Sequence, residues 1–218
     1  MNAIPSSIFR AYDIRGLVDE QLTEDSIELI SRAIGSEALA NGISSLLIGF
    51  DGRLSSPILS KALIAGLQNA GCNVVNLGLI PTPLLYFATH TSSHSSGVML
   101  TASHNPANYN GLKIVFNQNC LAENQIQRIK HRIDNNQLSS GEGTYQDLDI
   151  VDAYLEDVAE RIILEKKLSL IIDCGNAVPG TVAPNLFERL GCEVIPCLLY
   201  TSDAADEGLG VDLGGRRI

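Results

Sequence analysis

Gly97-Val98-Met99-Leu100-Thr101-Ala102-Ser103-His104-Asn105-Pro106 is an apolar run that breaks off into small, polar and turn-forming residues. Asn110-Gly111-Leu112-Lys113-Ile114-Val115-Phe116 follows close behind it. The first run has strand character, and Pro106 closes the loop at its end. The second is apolar again and enters through Asn110-Gly111, strong turn chemistry between two strands. The pattern predicts a loop held at both ends by buried strands, which is how a reactive group keeps its position. The loop carries a hydroxyl (Ser103), an imidazole beside it (His104) and, ten residues on, an amine (Lys113). On residue type alone, Ser103 and Asn105 are equally good turn formers and His104 an ordinary surface side chain.

On the N-terminal side of this loop, helix and strand patterns alternate. Thr23-Glu24-Asp25-Ser26 reads as a helix cap, and Ile27, Ile30, Ile34 and Ala38 fall on one face before Asn41-Gly42 ends the helix. Ser45-Leu46-Leu47-Ile48-Gly49-Phe50 is a short apolar strand running into Asp51-Gly52-Arg53-Leu54-Ser55-Ser56. That turn is either a plain helix entry with a capping serine, or a helix N-terminus and an arginine offered to an anion. Pro57 suits a first helical position. A helix over 57–70 would bury Ile58, Leu59, Ala62, Leu63 and Leu67, and Gly71 would stop it. A strand over 73–77, a turn at Pro81-Thr82-Pro83 and a short helix to about Thr89 complete the approach to the loop. Helices between strands predict an α/β layer sandwich with a mostly parallel or mixed sheet.

On the C-terminal side, residues 122–132 read as a helix closing a first domain over 1–137. The stretch from Asp134 to Gly143 is polar, rich in Gly and Ser, and without periodicity, so a linker is expected over 138–146. A second α/β unit begins at 147. It has a helix over 151–163 with Tyr154, Val158 and Ile162 aligned, an apolar strand over 168–173, a helix to about Leu190 and a strand reaching Pro196.

Composition narrows the function classes. At 218 residues and 45% hydrophobic, the chain can bury a real core. No apolar run approaches the ~20 residues of a membrane span, and the N-terminus has no charged-then-apolar signal pattern, so a cytoplasmic protein is expected. Five scattered cysteines without Cys-x-x-Cys suggest reduced thiols. A net charge of −10 and a pI near 4.7 argue against nucleic acid as a general partner, yet leave room for a small phosphorylated ligand in a locally cationic cleft.

Thr101-Ala102-Ser103-His104-Asn105-Pro106 with Tyr109-Asn110-Gly111-Leu112-Lys113 behind it resembles the phosphoserine loop of the alpha-D-phosphohexomutases. Ile8-Phe9-Arg10-Ala11-Tyr12-Asp13-Ile14-Arg15-Gly16 is similar to the N-terminal signature of the phosphomannomutase/phosphoglucomutase branch of that superfamily. The resemblance covers residues 8 to about 196. It implies a three-layer α/β/α sandwich with a mixed sheet as domain 1, plus an incomplete second α/β domain. It also implies an isomerase chemistry in which phosphate passes reversibly between C1 and C6 of mannose or glucose phosphates, through a phosphoserine and a bisphosphate. Ser103 would carry the phosphoryl group, Lys113 would act in proton transfer, and His104 would orient the phosphate or the sugar. Arg15 and Tyr12 would face the phosphoserine, with Arg53 and Asn105 in support. A planar guanidinium suits Arg15 to that work, since it binds phosphate oxygens in a bidentate manner and keeps its charge. Hexose phosphates are the implied partners and a hexose 1,6-bisphosphate the implied activator. Mg²⁺ is the implied cofactor, with phosphorylated Ser103 as one ligand.

The family's metal loop, sugar-selecting loop and distal phosphate loop are not found here, so an inactive fragment of the full-length protein is expected. From Cys197 onward the sequence resembles a reading frame through a transposase-type sequencing adapter, and residues 197–218 are read as adapter-derived. In the second unit Ala177 stands where the family usually has glycine, and no ligand contact is assigned to it. A phosphoglucosamine mutase and a non-catalytic sugar-phosphate-binding module are the alternative readings. A Ser-His hydrolase fits less well, because no Gly-x-Ser-x-Gly elbow is present and neighbours on a strand point to opposite faces.

Overall fold

The computed structural model describes residues 4–197; the tail read as adapter-derived lies, from residue 198 on, outside the described residues. The chain divides into two compact units, residues 1–149 and 150–218.

In the first unit, Thr23 opens helix α1 (Glu24–Ala40) with a reciprocal cap. Its hydroxyl accepts the Ser26 N–H at 3.2 Å, and the Ser26 hydroxyl accepts the Thr23 N–H at 2.8 Å. Ile27, Ile30, Ala33, Ile34 and Ala38 are fully buried along its inner face. Helix α2 (Ser56–Ala70) has Pro57 in its first turn and ends at Gly71, whose φ of 100° is the left-handed geometry of a C-cap. Its buried stripe is Leu59, Ala62, Leu63 and Leu67. Ile58, expected among them, lies off that stripe and is 48% exposed.

The sheet is mixed and seven-stranded. Its order runs β1 (Ile14–Leu17), β5 (Tyr109–Phe116), β4 (Gly97–Leu100), β2 (Ser45–Phe50), β3 (Asn73–Leu79) and β7 (Tyr145–Asp147), with β6 (Asn119–Cys120) paired to β5. The β4-β2-β3-β7 pairings are parallel; β5 is antiparallel to β1, β4 and β6. Residues alternate between the two faces, with one break in β3, where Ile48 pairs with Asn76 and Gly49 with Gly78. Leu46, Ile48, Val74, Val98, Leu100, Leu112 and Ile114 join one core with α1, α2 and the Ile126 and Ile129 side chains of α4 (Asn124–Asp134). Leu47, Val75, Met99 and Val115 are buried on the other face, where α3 (Thr82–Thr91) packs on β2 and β4 through Leu84, Leu85 and Ala88. The expected three-layer α/β/α sandwich is the observed one.

Asn110-Gly111 is not the turn. Both residues lie inside β5, opposite Gly16 and Arg15 of β1. A Cβ on Gly111 would sit 2.4 Å from the Ile14 carbonyl oxygen and 3.1 Å from that of Thr101, so close backbone approach on both sides requires glycine there. Asn110 is fully buried; its amide donates to the hydroxyls of Ser55 and Ser56 at 2.9 and 3.1 Å. The turn between β4 and β5 is the 101–108 loop itself.

The polar stretch read as a linker over 138–146 lies along the first unit. The Gly141 and Gly143 N–H groups donate to the carbonyls of Asn69 and Gln68, and Thr144 is bonded to Asn73. β7 then extends the sheet beyond β3, where Tyr145 and Asn76 both donate to Asp147 and hold its carboxyl below the usual range. A Cβ on Gly143 would come within 1.8 Å of the Cys72 carbonyl oxygen. Gly143→Ala should therefore lift this segment from the sheet edge. Amide exchange over residues 144–148 should rise about tenfold or more, with α1 and β2 unaffected. Equal protection in the two proteins would contradict the close packing at Cys72.

The second unit holds α5 (Val151–Arg161), β8 (Ser169–Asp173), a short 3-10 turn (Val178–Thr181), α6 (Ala183–Arg189) and β9 (Glu193–Cys197), the strands parallel and in register from Ser169↔Glu193. Leu155 is the buried residue of α5. Tyr154 and Val158 are half-buried, and Ile162, expected in line with them, lies past the helix end and is exposed.

Candidate active site

The order of the strands decides where a site can form. β2 leads through α2 to β3 on one side, while β4 pairs along its other side after the chain returns through α3. The loops after β2 and β4 thus leave the same end of the sheet at its topological switch point, where open α/β sheets place their ligands. Those two loops are the Asp51–Ser55 turn and the 101–108 serine loop.

Ser103 is exposed, with φ of 56°, a left-handed backbone that L-residues adopt at a cost of about 1 kcal/mol or more. Three bonds hold it there. The Thr101 hydroxyl accepts the Ser103 N–H at 2.9 Å, and the Asn105 amide and N–H both donate to the Ala102 carbonyl. Asn105 is thus a brace of the loop. The bend also brings the imidazole of His104 round: its Nδ1 lies 3.3 Å from the Ser103 hydroxyl. The expectation that these neighbours point apart rested on strand geometry, and the left-handed residue breaks that alternation. No carboxylate among the described residues orients His104, so the pair lacks the third member a hydrolase needs.

The sheet rows bring Arg15 and Lys113 to the same neighbourhood. Thr101 donates its N–H to Gly111 at 2.8 Å, Gly111 pairs with Arg15, and Met99 pairs with Lys113. Opposed residues and those two apart share a face. Arg15, Lys113 and Thr101 therefore project from one face of the sheet, at the root of the serine loop. Lys113 is half-buried, and its ammonium has no hydrogen-bond or ion-pair partner among the described residues. Arg15 is held by the buried carboxylate of Asp13, which accepts from both Nε (3.2 Å) and Nη2 through a single oxygen. Tyr12 stands 69% exposed on the preceding turn and makes no hydrogen bond to the loop.

Arg53 does not offer its fork to solvent. Nη1 donates to the carbonyls of Pro106 (2.7 Å) and Tyr109 (3.0 Å), and Nη2 to those of Ser103 (2.9 Å) and Asn105 (2.7 Å). Nε lies 3.3 Å from Asp51. Asp51 also accepts from the Arg53 N–H and the Ser56 hydroxyl. The capping serine that one reading of this turn expected makes no cap: the Ser55 hydroxyl accepts from Asn110, and that of Ser56 donates to Asp51. Asp13, Asp51, Thr101 and Asn110 are the site residues that sequence reasoning missed. The signal for the first two was present twice, as Asp13-Ile14-Arg15 and Asp51-Gly52-Arg53, a carboxylate two residues before each arginine.

No three carboxylate, imidazole or thiol side chains come together to hold a cation among the described residues. The two carboxylates tied to this site, Asp13 and Asp51, are committed to Arg15 and Arg53. The residues present do not by themselves make a Mg²⁺ site.

Comparison with known proteins bears on the fold and the family. A family model described as phosphoglucomutase/phosphomannomutase, alpha/beta/alpha domain I, matches residues 6–140. A phosphomannomutase/phosphoglucomutase of Pseudomonas aeruginosa is 50% identical over 193 residues, 88% of this chain and 42% of that protein. A phosphoglucomutase of Neisseria meningitidis is 39% identical over 196 residues, covering 89% and 43% of the two chains. The crystal structure of a phosphoglucomutase/phosphomannomutase family protein from Burkholderia thailandensis superposes with a TM-score of 0.86 at 40% identity, over 89% of this chain and 44% of that one. The chain spans less than half the length of these curated relatives. On the match across its first unit, the chain belongs to the phosphoglucomutase/phosphomannomutase family.

Proposed function

We propose that this chain supplies the phosphoryl-carrying part of a hexose-phosphate mutase, with mannose and glucose phosphates as substrates. In the forward step the sugar hydroxyl attacks phosphorylated Ser103. The P–Oγ bond breaks, a P–O bond to the sugar forms, and the hydroxyl proton passes through the neutral amine of Lys113 to the departing Ser103 oxygen, from which Lys113 takes it again when Ser103 attacks in the return step. The resulting bisphosphate turns round. Its other phosphoryl group returns to Ser103, and Lys113 gives the proton to the leaving sugar oxygen. Such transfer depends on alignment and charge neutralisation more than on covalent chemistry by the protein. Arg15, preset by Asp13, holds phosphate oxygens, and His104 orients the phosphate on Ser103. No step is assigned to a cation; the Mg²⁺ implied by the resemblance would find one ligand here, an oxygen of phosphorylated Ser103.

The observation that carries this reading is the exposed left-handed Ser103 at the switch point, with Arg15 and an unpartnered Lys113 on the sheet face beneath it. No described helix is long and apolar enough to cross a membrane. Burial pushes the Cys72 thiol up to about 11, which marks it as an inert core thiol.

The test is peptide mass spectrometry after incubation of a polypeptide of the relatives' full length with glucose 1,6-bisphosphate. Phosphate should appear on Ser103, and isomer interconversion with Ser103 left unesterified would overturn the proposal. In the same polypeptide, Arg15→Ala should lower turnover at saturating substrate about a hundredfold, the usual effect of removing one donor to transition-state charge. An unchanged rate would make Arg15 a surface residue.

A further inference from the structure

We propose that Arg53 is a positioning residue that acts through the peptide planes of the serine loop, turning two backbone N–H groups toward a phosphate on Ser103. The proposal rests on the reading of Ser103 as a phosphoryl carrier. The guanidinium draws the carbonyls of Ser103 and Pro106 to its own side, at 2.9 and 2.7 Å. The peptide bonds are trans, so the N–H on the far side of each carbonyl points the opposite way. Those are the N–H groups of His104 and Ala107. Neither has an acceptor among the described residues, and both residues are exposed. The other two carbonyls on the fork close the arrangement. That of Asn105 precedes proline and has no N–H behind it, and that of Tyr109 anchors the loop's far end at the start of β5.

Four carbonyls on one fork over-determine a loop whose central residue is in a disfavoured backbone region. The Asp51 carboxylate fixes the guanidinium in turn, and the Ser56 and Asn110 side chains tie that carboxylate to β5. The N–H of His104 immediately follows the residue that would carry the phosphate, within reach of an ester on its hydroxyl. Backbone N–H groups so aimed form an anion-binding concavity. Arg53 thus serves the phosphate without touching it. A lysine keeps the charge but cannot reproduce a planar fork with four acceptors.

The test uses this chain with phosphoserine encoded at position 103, titrated by ³¹P NMR. Hydrogen bonds to the dianion lower its second pKa, so the phosphoserine should titrate below its ordinary value of about 6. In Arg53→Lys, with the same charge, the midpoint should move up by about half a unit or more. The amide proton of His104, shifted downfield by the phosphate in the parent chain, should lose that shift. Arg53→Ala should move the midpoint at least as far; circular dichroism and the methyl spectrum of the α1–α2 core verify that each variant folds. An Arg53→Lys chain that folds and titrates like the parent would overturn the proposal, whether or not Arg53→Ala is shifted, because charge alone would then suffice. Should the phosphoserine titrate as expected while Ser103 takes no phosphate from a bisphosphate, the mutase reading fails and the Arg53 arrangement stands.

Discussion

Ser103→Ala, in a polypeptide of the relatives' full length, should lower mutase turnover about a thousandfold or more, because the other hydroxyl on the loop, that of Thr101, is buried and accepts the Ser103 N–H. The loss should come without unfolding. The Ser103 hydroxyl is exposed, and its one hydrogen-bond contact among the described residues is the 3.3 Å approach to His104. The bonds that shape the loop come from the Ser103 backbone and from Thr101, Asn105 and Arg53. Alanine and serine meet similar steric resistance at a φ of 56°, so the melting temperature should change by no more than a few degrees. Ser103→Gly sharpens the test, since glycine accepts that φ freely and should raise stability while turnover stays lost. Stability and activity would then move in opposite directions at one position. Retained turnover in a well-folded Ser103→Ala protein would remove the serine from the chemistry.

Much of this site is legible from the sequence because short-range chemistry fixes it. Thr23 and Ser26 cap α1, Gly71 ends α2 in a left-handed turn, and the apolar runs at residues 97–100 and 112–116 place β4 and β5. What escapes is whatever depends on a partner distant in the chain. Asn110-Gly111 has the composition of a hairpin turn, yet the same two residues suit the inside of β5. There Gly111 admits the Ile14 and Thr101 carbonyls, and Asn110 reaches Ser55 and Ser56 across more than fifty positions. Arg53 reads as a cation offered to an anion, and only the fold shows the loop carbonyls already filling its fork. The Gly/Ser-rich stretch before Tyr145 has a linker's composition, but its glycines allow the backbone to lie against Cys72. Glycine marks flexibility in an isolated segment and close approach in a packed one, and sequence alone does not separate the two.

Lys113→Met should lower turnover about 10²- to 10⁴-fold, the range over which one positioned proton-transfer group contributes, and should leave the protein as stable as before or more so. The second half of that expectation follows from the structure. The Lys113 side chain is half-buried on the sheet face it shares with the buried Met99 and Val115, opposite to that of Leu112 and Ile114, and its ammonium finds no acceptor among the described residues. A charge held partly out of water without a partner costs free energy that a methionine of similar length does not. Thermal unfolding of the variant should therefore show an equal or higher midpoint, the signature of a residue kept for function against stability. Lys113→Arg separates the two ways a cation could serve. Arginine preserves the positive charge but does not give up its proton near neutral pH, so it can neutralise phosphate and cannot act as a base. If Lys113 moves the sugar hydroxyl proton, Lys113→Arg should be nearly as slow as Lys113→Met. Substantial activity in Lys113→Arg would assign the residue to charge neutralisation, and the proton would need another acceptor. Among the described residues that sit at the serine loop, His104 is the one with a free ring nitrogen to take that role. A His104→Gln variant that abolished the remaining turnover of Lys113→Arg, while lowering that of the parent far less, would then identify it.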